Sequence, residues 1–302
     1  MRYVIGVDGG GTKTEAVAYS LEGDIINSAI TGYGNLLNGK EEGLKNIVES
    51  IKFIVDKLGI ENLQGIYLGI AGSEVGNNNE IIKEEVKSKF NVETIVMNDS
   101  ELALKALLKG EDGILTIAGT GSIAFGINGN IQWKAGGWGN LLGDEGSAYK
   151  IAIDGIKNMI YENDNSLELS EMSKAILEYL DLSRPDDIIG FVYSSTKDEI
   201  ANLAQIVSKF AEEGNEIANK ILVTEAVDLA KSTEQVFKRL KFEKCSIGLV
   251  GGVVRKSRIF REAFEEYLNK NINVISFVDD KVSPAKGGYY IFKKNNLQKV
   301  VF

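Results

Sequence analysis

Histidine is absent from this 302-residue chain, and cysteine occurs once, at Cys245. The first absence removes Ser–His–Asp triads, Cys–His pairs and imidazole metal sites together. A general base working near neutral pH is then a carboxylate, and any metal is a hard ion on oxygen. The second absence excludes a disulfide within the chain and a multi-cysteine zinc or iron–sulfur centre. Cys245 sits in "KCSIGLVGG" beside an apolar run and reads as a small core residue.

Clustered positive charge is also missing. The net charge is −9, and Lys and Arg are interspersed with acids, so no basic stripe invites nucleic acid or anionic lipid. A phosphate would have to be met by backbone N–H groups, a metal or a few placed side chains. Long hydrophobic runs are missing too. The uncharged stretch from Gly113 to Trp133 is broken by glycines, Asn128 and Asn130, and reads as buried or edge strands rather than a membrane span. The first residues meet Asp8 too soon for a signal peptide. A cytoplasmic protein with no membrane or nucleic-acid partner is expected.

What is present suits about two α/β domains. "RYVIGVD" reads as a buried strand, "TEAVAYS" as an alternating one and "IINSAITG" as a third. A helix is expected from Glu41 to Leu58, with Leu44, Ile47, Ile51, Ile54 and Val55 on one face. "SELALKALLKG" reads as a helix closed by Gly110 at C′. The opening pattern then returns: "GILTIAGTGSIAFGINGNIQW" is strand, glycine turn, strand, hairpin turn, strand. Two halves of like order imply a duplicated α/β domain with a cleft between the copies. The expected division is 1–111, completed by a C-terminal helix over 284–302, and 112–283 with a helical insertion.

Both glycine loops look like phosphate binders, but neither fits a helix-led motif. "GVDGGGTKT" places Gly6 and Gly11 at P-loop spacing, yet Thr12 intrudes before Lys13 and an alternating strand follows. Gly119 to Ala124 matches G-x-G-x-x-G/A literally, yet "SIAFGINGN" alternates where the dinucleotide fingerprint needs a helix. A tight hairpin that presents successive N–H groups as a nest remains. Two such turns at matching positions favour a phosphate role over plain hairpins.

In this order, "GVDGGGTKT", "VMNDSELAL", "IAGTGS", "GGWGNLLGDEGSAY" and "GLVGGVVRKS" resemble the BadF/BadG-type branch of the actin-like ATPase superfamily. They are most similar to its N-acetylglucosamine kinases and related sugar kinases. The resemblance spans nearly the whole chain, and the Gly-Trp-Gly to Gly-Asp-Glu-Gly-Ser block is its most specific part. It implies two ribonuclease-H-like domains, ATP and Mg²⁺ as cofactors, a sugar substrate phosphorylated at the 6-hydroxyl, and a homodimer. Gly9, Gly10, Gly11, Thr12 and Lys13 would hold the β- and γ-phosphates, with Asp8 positioning Mg²⁺. Gly119, Thr120, Gly121 and Ser122 would form the second phosphate loop, and Gly251, Gly252 and Val253 would line the adenosine. Asp99 would be the general base, and Asn35, Thr120, Gly137, Trp138 and Asp144 would surround the sugar. Some relatives carry a tryptophan close after that asparagine, where this chain has Leu36 and Leu37.

Each of these residues also has a plainer reading. Asp99 follows Asn98, which reads as a helix cap with Glu101 at N3. Asp8 reads as a turn acceptor, Asn35 as a turn residue, Asp144 as an N-cap and Trp138 as core packing. Two rivals share the branch. An ATPase activator that passes electrons needs clustered cysteines, which this chain lacks. A sugar-sensing regulator would carry an added DNA-binding segment, and none is expected here.

Overall fold

A computed structural model describes residues 1–299 of the chain. Residues 300–302, the end of the expected C-terminal helix, lie outside the described residues. Contacts divide the chain into two compact units, Met1–Gly113 together with the segment from Asp280 onward, and Ile114–Asp279.

The first unit is built from β1 (Tyr3–Gly9), β2 (Thr14–Ser20), β3 (Ile25–Thr31), α1 (Lys40–Leu58), β4 (Leu63–Ile70), α2 (Asn78–Phe90), β5 (Thr94–Met97) and α3 (Asp99–Leu107). Its sheet runs in the order β3-β2-β1-β4-β5. The hairpin strands pair antiparallel, whereas β1, β4 and β5 run parallel, so their C-terminal ends share one edge. Alternation along β1 decides the packing. Tyr3, Ile5 and Val7 join Ile47, Ile51 and Ile54 of α1 in one core, and Val4 faces Ala285 and Tyr289 on the other side. Each of these isoleucines contributes roughly 2 kcal/mol by burial. The predicted apolar face of α1 is therefore the buried one, with Leu44 and Val55 packed at its rim.

The second face of this sheet is covered by the chain's last helix (Lys286–Lys299). Its entry is very close. A Cβ added at Gly6 would overlap the Ala285 carbonyl, and one at Gly288 would stand 3.0 Å from Gly6 Cα. Gly6→Ala is therefore expected to destabilise the first unit by about 3 kcal/mol or more, because backbone rather than a flexible side chain must give way. Chemical unfolding followed by far-UV circular dichroism measures it.

The second unit contains β6 (Gly113–Ala118), β7 (Ser122–Asn128), β8 (Ile131–Gly136), α4 (Ala148–Asp164), α5 (Glu171–Tyr179), α6 (Ile188–Ser194), α7 (Lys197–Ala201), α8 (Ala204–Glu212), α9 (Glu216–Arg239), β9 (Cys245–Val250), α10 (Gly252–Lys256), α11 (Arg258–Asn271) and β10 (Val274–Val278); the last helix of the chain is α12. The sheet order β10-β9-β6-β7-β8 repeats that of the first unit read from the other end. Cys245 is 3% exposed, and burial pushes its thiol up to about 12, so it is an inert core residue. Among the described residues no helix is long and apolar enough to cross a membrane.

Two local expectations need correction. The C′ residue of α3 is Lys109, left-handed at φ +53°, and Gly110 lies one place beyond, where its N–H reaches the Lys105 carbonyl at 2.8 Å. That six-to-one bond is the Schellman closure, displaced by one residue because Leu108 already ends the helix. Asp144 does not cap α4. Ser147 does, accepting from the Lys150 N–H at 3.1 Å, and Asp144 is held elsewhere by a positive φ of 70°.

Candidate active site

Both glycine loops lead into strands, β2 and β7, so neither is a P-loop nor a dinucleotide fingerprint. In the first unit, Asp8 lies next to last in β1, paired across the hairpin with Glu15 and across the parallel edge with Gly69. The Gly10 N–H donates to the Lys13 carbonyl at 2.9 Å, closing the turn, and Gly11, Thr12 and Lys13 project into solvent. Neighbouring segments fix this turn through its carbonyls. The Gly34 and Asn35 N–H groups donate to the Gly10 carbonyl at 3.0 and 3.1 Å. The Ala71 N–H reaches the Gly9 carbonyl at 2.9 Å, and Asn38 Nδ2 reaches the Gly11 carbonyl at 2.9 Å. Asn35 is thus carried to the loop by its backbone, while its Oδ1 accepts the Leu37 N–H at 2.9 Å in its own turn. Leu36 is buried and Leu37 is exposed.

Asp99 opens α3 one residue after β5 and therefore shares the C-terminal edge with Asp8. The capping work belongs to Asn98, which accepts the Glu101 N–H at 2.7 Å. Asp99 Oδ1 accepts the Ser100 N–H at 2.8 Å. Burial raises the Asp99 carboxyl above its ordinary range, Glu74 adds to this, and the Ser100 bonds oppose it. Asp8 is pushed up to about 6, first by burial, then by the negative charges of Asp99 and Glu15, with Lys13 opposing. Two half-buried carboxylates, one of which is raised by the charge of the other, are an arrangement a cation relieves. Among the described residues no group of three or more Asp, Glu, Cys or His could hold a metal. A largely hydrated Mg²⁺ on one carboxylate plus ligand oxygens fits such a pair.

In the second unit, Gly119 and Thr120 line a cavity of about 590 Å³ together with Gly252 and Val253. Gly251 adopts φ +111°, and a Cβ there would overlap the Ala118 carbonyl, so only glycine lets the end of β9 close against the second loop. The far wall was not foreseen from the sequence. It comes from α7 and α8, through Asp198, Asn202, Gln205 and Ser208. The capping box of Thr196 and Glu199 that starts α7 marks the helix but not its role.

The second loop is pinned from behind. Ser122 Oγ donates to the Glu145 carbonyl at 2.7 Å, and the Ala148 N–H reaches the Gly119 carbonyl at 2.8 Å. Asp144 is 2% exposed; Lys197 Nζ meets its Oδ2 at 2.6 Å, and the Ser122 N–H approaches its other oxygen at 3.5 Å. Glu225, another residue without a sequence signal, accepts the Gly146 N–H at 2.6 Å; burial beside Asp154 raises its carboxyl. Gly137 has φ +71° and donates to the Ser122 carbonyl at 3.1 Å. Trp138 is 68% exposed, with Leu141 and Leu142 exposed beside it, so the core-packing reading of Trp138 is overturned. Glycines on both sides leave its ring without a wall.

Residues 5–289 match the BadF/BadG/BcrA/BcrD ATPase family. The chain belongs to this family. An N-acetylmuramic acid/N-acetylglucosamine kinase of Clostridium acetobutylicum is 32% identical, over 96% of this chain and 98% of that one. An N-acetyl-D-glucosamine kinase of Dictyostelium discoideum is 28% identical, over 94% and 95%. This family member also resembles in fold a crystal structure of a ROK family glucokinase from Streptomyces griseus in complex with glucose and AMPPNP. The TM-score is 0.56 at 16% identity, covering 96% of this chain and 97% of that one. The two five-stranded sheets with their helices are therefore the α/β fold of actin-like sugar kinases.

Proposed function

We propose that the protein is an ATP-dependent sugar kinase that phosphorylates the 6-hydroxyl of an amino sugar, foremost N-acetylglucosamine. The observation that carries this reading is the half-buried Asp99 just beyond the C-terminal end of β5, whose charge acts on Asp8 near the end of β1, in a chain without histidine. Kinases of similar sequence act on amino sugars according to their names.

In this reading Asp99 takes the proton of the sugar hydroxyl as its oxygen attacks the γ-phosphorus, and the bond from that phosphorus to the leaving ADP oxygen breaks. The loop from Gly9 to Lys13 receives the β- and γ-phosphates, and Asp8 holds Mg²⁺, which neutralises phosphate charge when bound. Gly119 to Ser122 is the second phosphate loop. Gly252 and Val253, which line the 590 Å³ cavity, receive the adenosine there, and Gly251 closes the end of β9 against the Ala118 carbonyl behind them. Asn35 and Thr120 serve the sugar hydroxyls, whereas Asp144, expected beside them, is 2% exposed with its oxygens turned to Lys197 and the Ser122 N–H; the exposed Trp138 beside Gly137 offers its ring to an apolar sugar face. A cytoplasmic homodimer belongs to the same reading.

A panel assay tests it. With ATP and Mg²⁺, ADP release is measured against N-acetylglucosamine, N-acetylmuramate, glucosamine, N-acetylmannosamine and glucose. N-acetylglucosamine is expected to exceed glucose in kcat/KM by about tenfold or more, the effect of one satisfied polar and apolar contact. If none of the five supports sugar-dependent ADP release, the kinase reading is wrong. A preference for N-acetylmuramate would keep the chemistry and change the substrate.

A further inference from the structure

The cavity of the second unit and its phosphate loop are joined by one ion pair. Lys197 stands at the start of α7, whose next turns supply Asp198, Ala201 and Asn202 to the cavity. Its side chain is 34% exposed, but its ammonium is engaged. It reaches Asp144 Oδ2 at 2.6 Å, on a side chain only 3% exposed. The pair presses against the loop: a Cβ added at Gly121 would lie 2.7 Å from Lys197 Nζ and 3.1 Å from Asp144 Oδ2. Asp144 in turn faces the Ser122 N–H and sits in a left-handed conformation uncommon for a non-glycine residue. A buried carboxylate in such a place persists only if a cation compensates it.

We infer that Lys197 is a positioning residue for the nucleotide, latching the α7 wall of the cavity onto the Gly119–Ser122 loop through Asp144. Without the ammonium, Asp144 is a buried uncompensated charge. It relaxes toward water, and the loop and α7 lose their fixed separation. Gly121 is small because the latch occupies the space a side chain would fill.

This inference rests on the nucleotide reading of the cavity, so the test is binding of ADP in the absence of sugar, by calorimetry at 25 °C. Lys197→Met is expected to weaken ADP by about tenfold or more, about 1.4 kcal/mol. Lys197→Arg, which keeps the cation, is expected to stay within about threefold of the unaltered protein. A purely structural lysine would lower the thermal midpoint and leave the affinity of the folded protein unchanged. The inference is overturned if Lys197→Met binds ADP within about twofold of the unaltered chain. If that variant does not fold, Lys197→Gln is measured against the same criterion. Absence of ADP binding to the unaltered protein would instead overturn the nucleotide reading itself.

Discussion

Asp99→Asn is expected to lower kcat by about 10²–10⁴, with far smaller changes in KM for sugar and ATP. The substitution separates chemistry from structure. Asn98 keeps the cap of α3 through its bond to Glu101, and the new amide oxygen still accepts the Ser100 N–H. Only the capacity to take a proton is lost. Steady-state kinetics with the best sugar of the panel measures it, and near-normal turnover would remove Asp99 as the base. Its carboxyl is raised above the ordinary 3.8, so the acid limb of the kcat/KM profile should lie above that value. Asp8 is pushed up to about 6, first by burial and then by the negative charges of Asp99 and Glu15, so its own titration falls in the same acid range.

Asp8→Asn should separate stability from activity in opposite directions. The Asp8 carboxyl has an ordinary value of 3.8 and is pushed up to about 6 in the fold. The native state therefore binds more protons than the unfolded chain between these values. Stability falls as pH rises through this window and is at its lowest, with respect to this group, above pH 6. Removing the charge should stabilise the ligand-free protein at pH 7.5 by about 2–3 kcal/mol. The gain should shrink steadily below pH 6 and vanish below about 3.8. With the metal role proposed for Asp8, turnover should fall by about 10² or more, because that role needs the carboxylate. Denaturant unfolding at several pH values gives the first effect and kinetics the second. A variant less stable than the parent at pH 7.5 would mean that the carboxylate is compensated in the ligand-free fold.

The strong local signals were all legible along the chain. An apolar run placed β1, period-two alternation placed β2 and β7, and the 3.6-residue spacing of Ile47, Ile51 and Ile54 gave the buried face of α1. The alternation after each glycine turn correctly ruled out both helix-led phosphate motifs, because a strand cannot offer a helix N-terminus. Where a single residue had two local readings, sequence was a poor guide. Asp144 reads as a cap, yet the structure gives that role to Ser147, because Asp144 turns away at φ +70°. Trp138 reads as core by composition, yet its glycine neighbours leave it in solvent.

By itself, then, the sequence determined the family, the duplicated strand order and the restriction to carboxylate chemistry. These follow from motif order, periodicity and the absence of histidine, all written along one dimension. Tertiary structure decided which distant groups meet. The partnership of Lys197 with Asp144 and the hold of Glu225 on Gly146 join residues 53 and 79 positions apart, and the wall from α7 and α8 brings Asp198 and Ser208 to the cavity of the Gly119 loop. Burial and charge act through space, so the raised carboxyls of Asp8 and Asp99 exist only once parallel strands bring their ends to one edge.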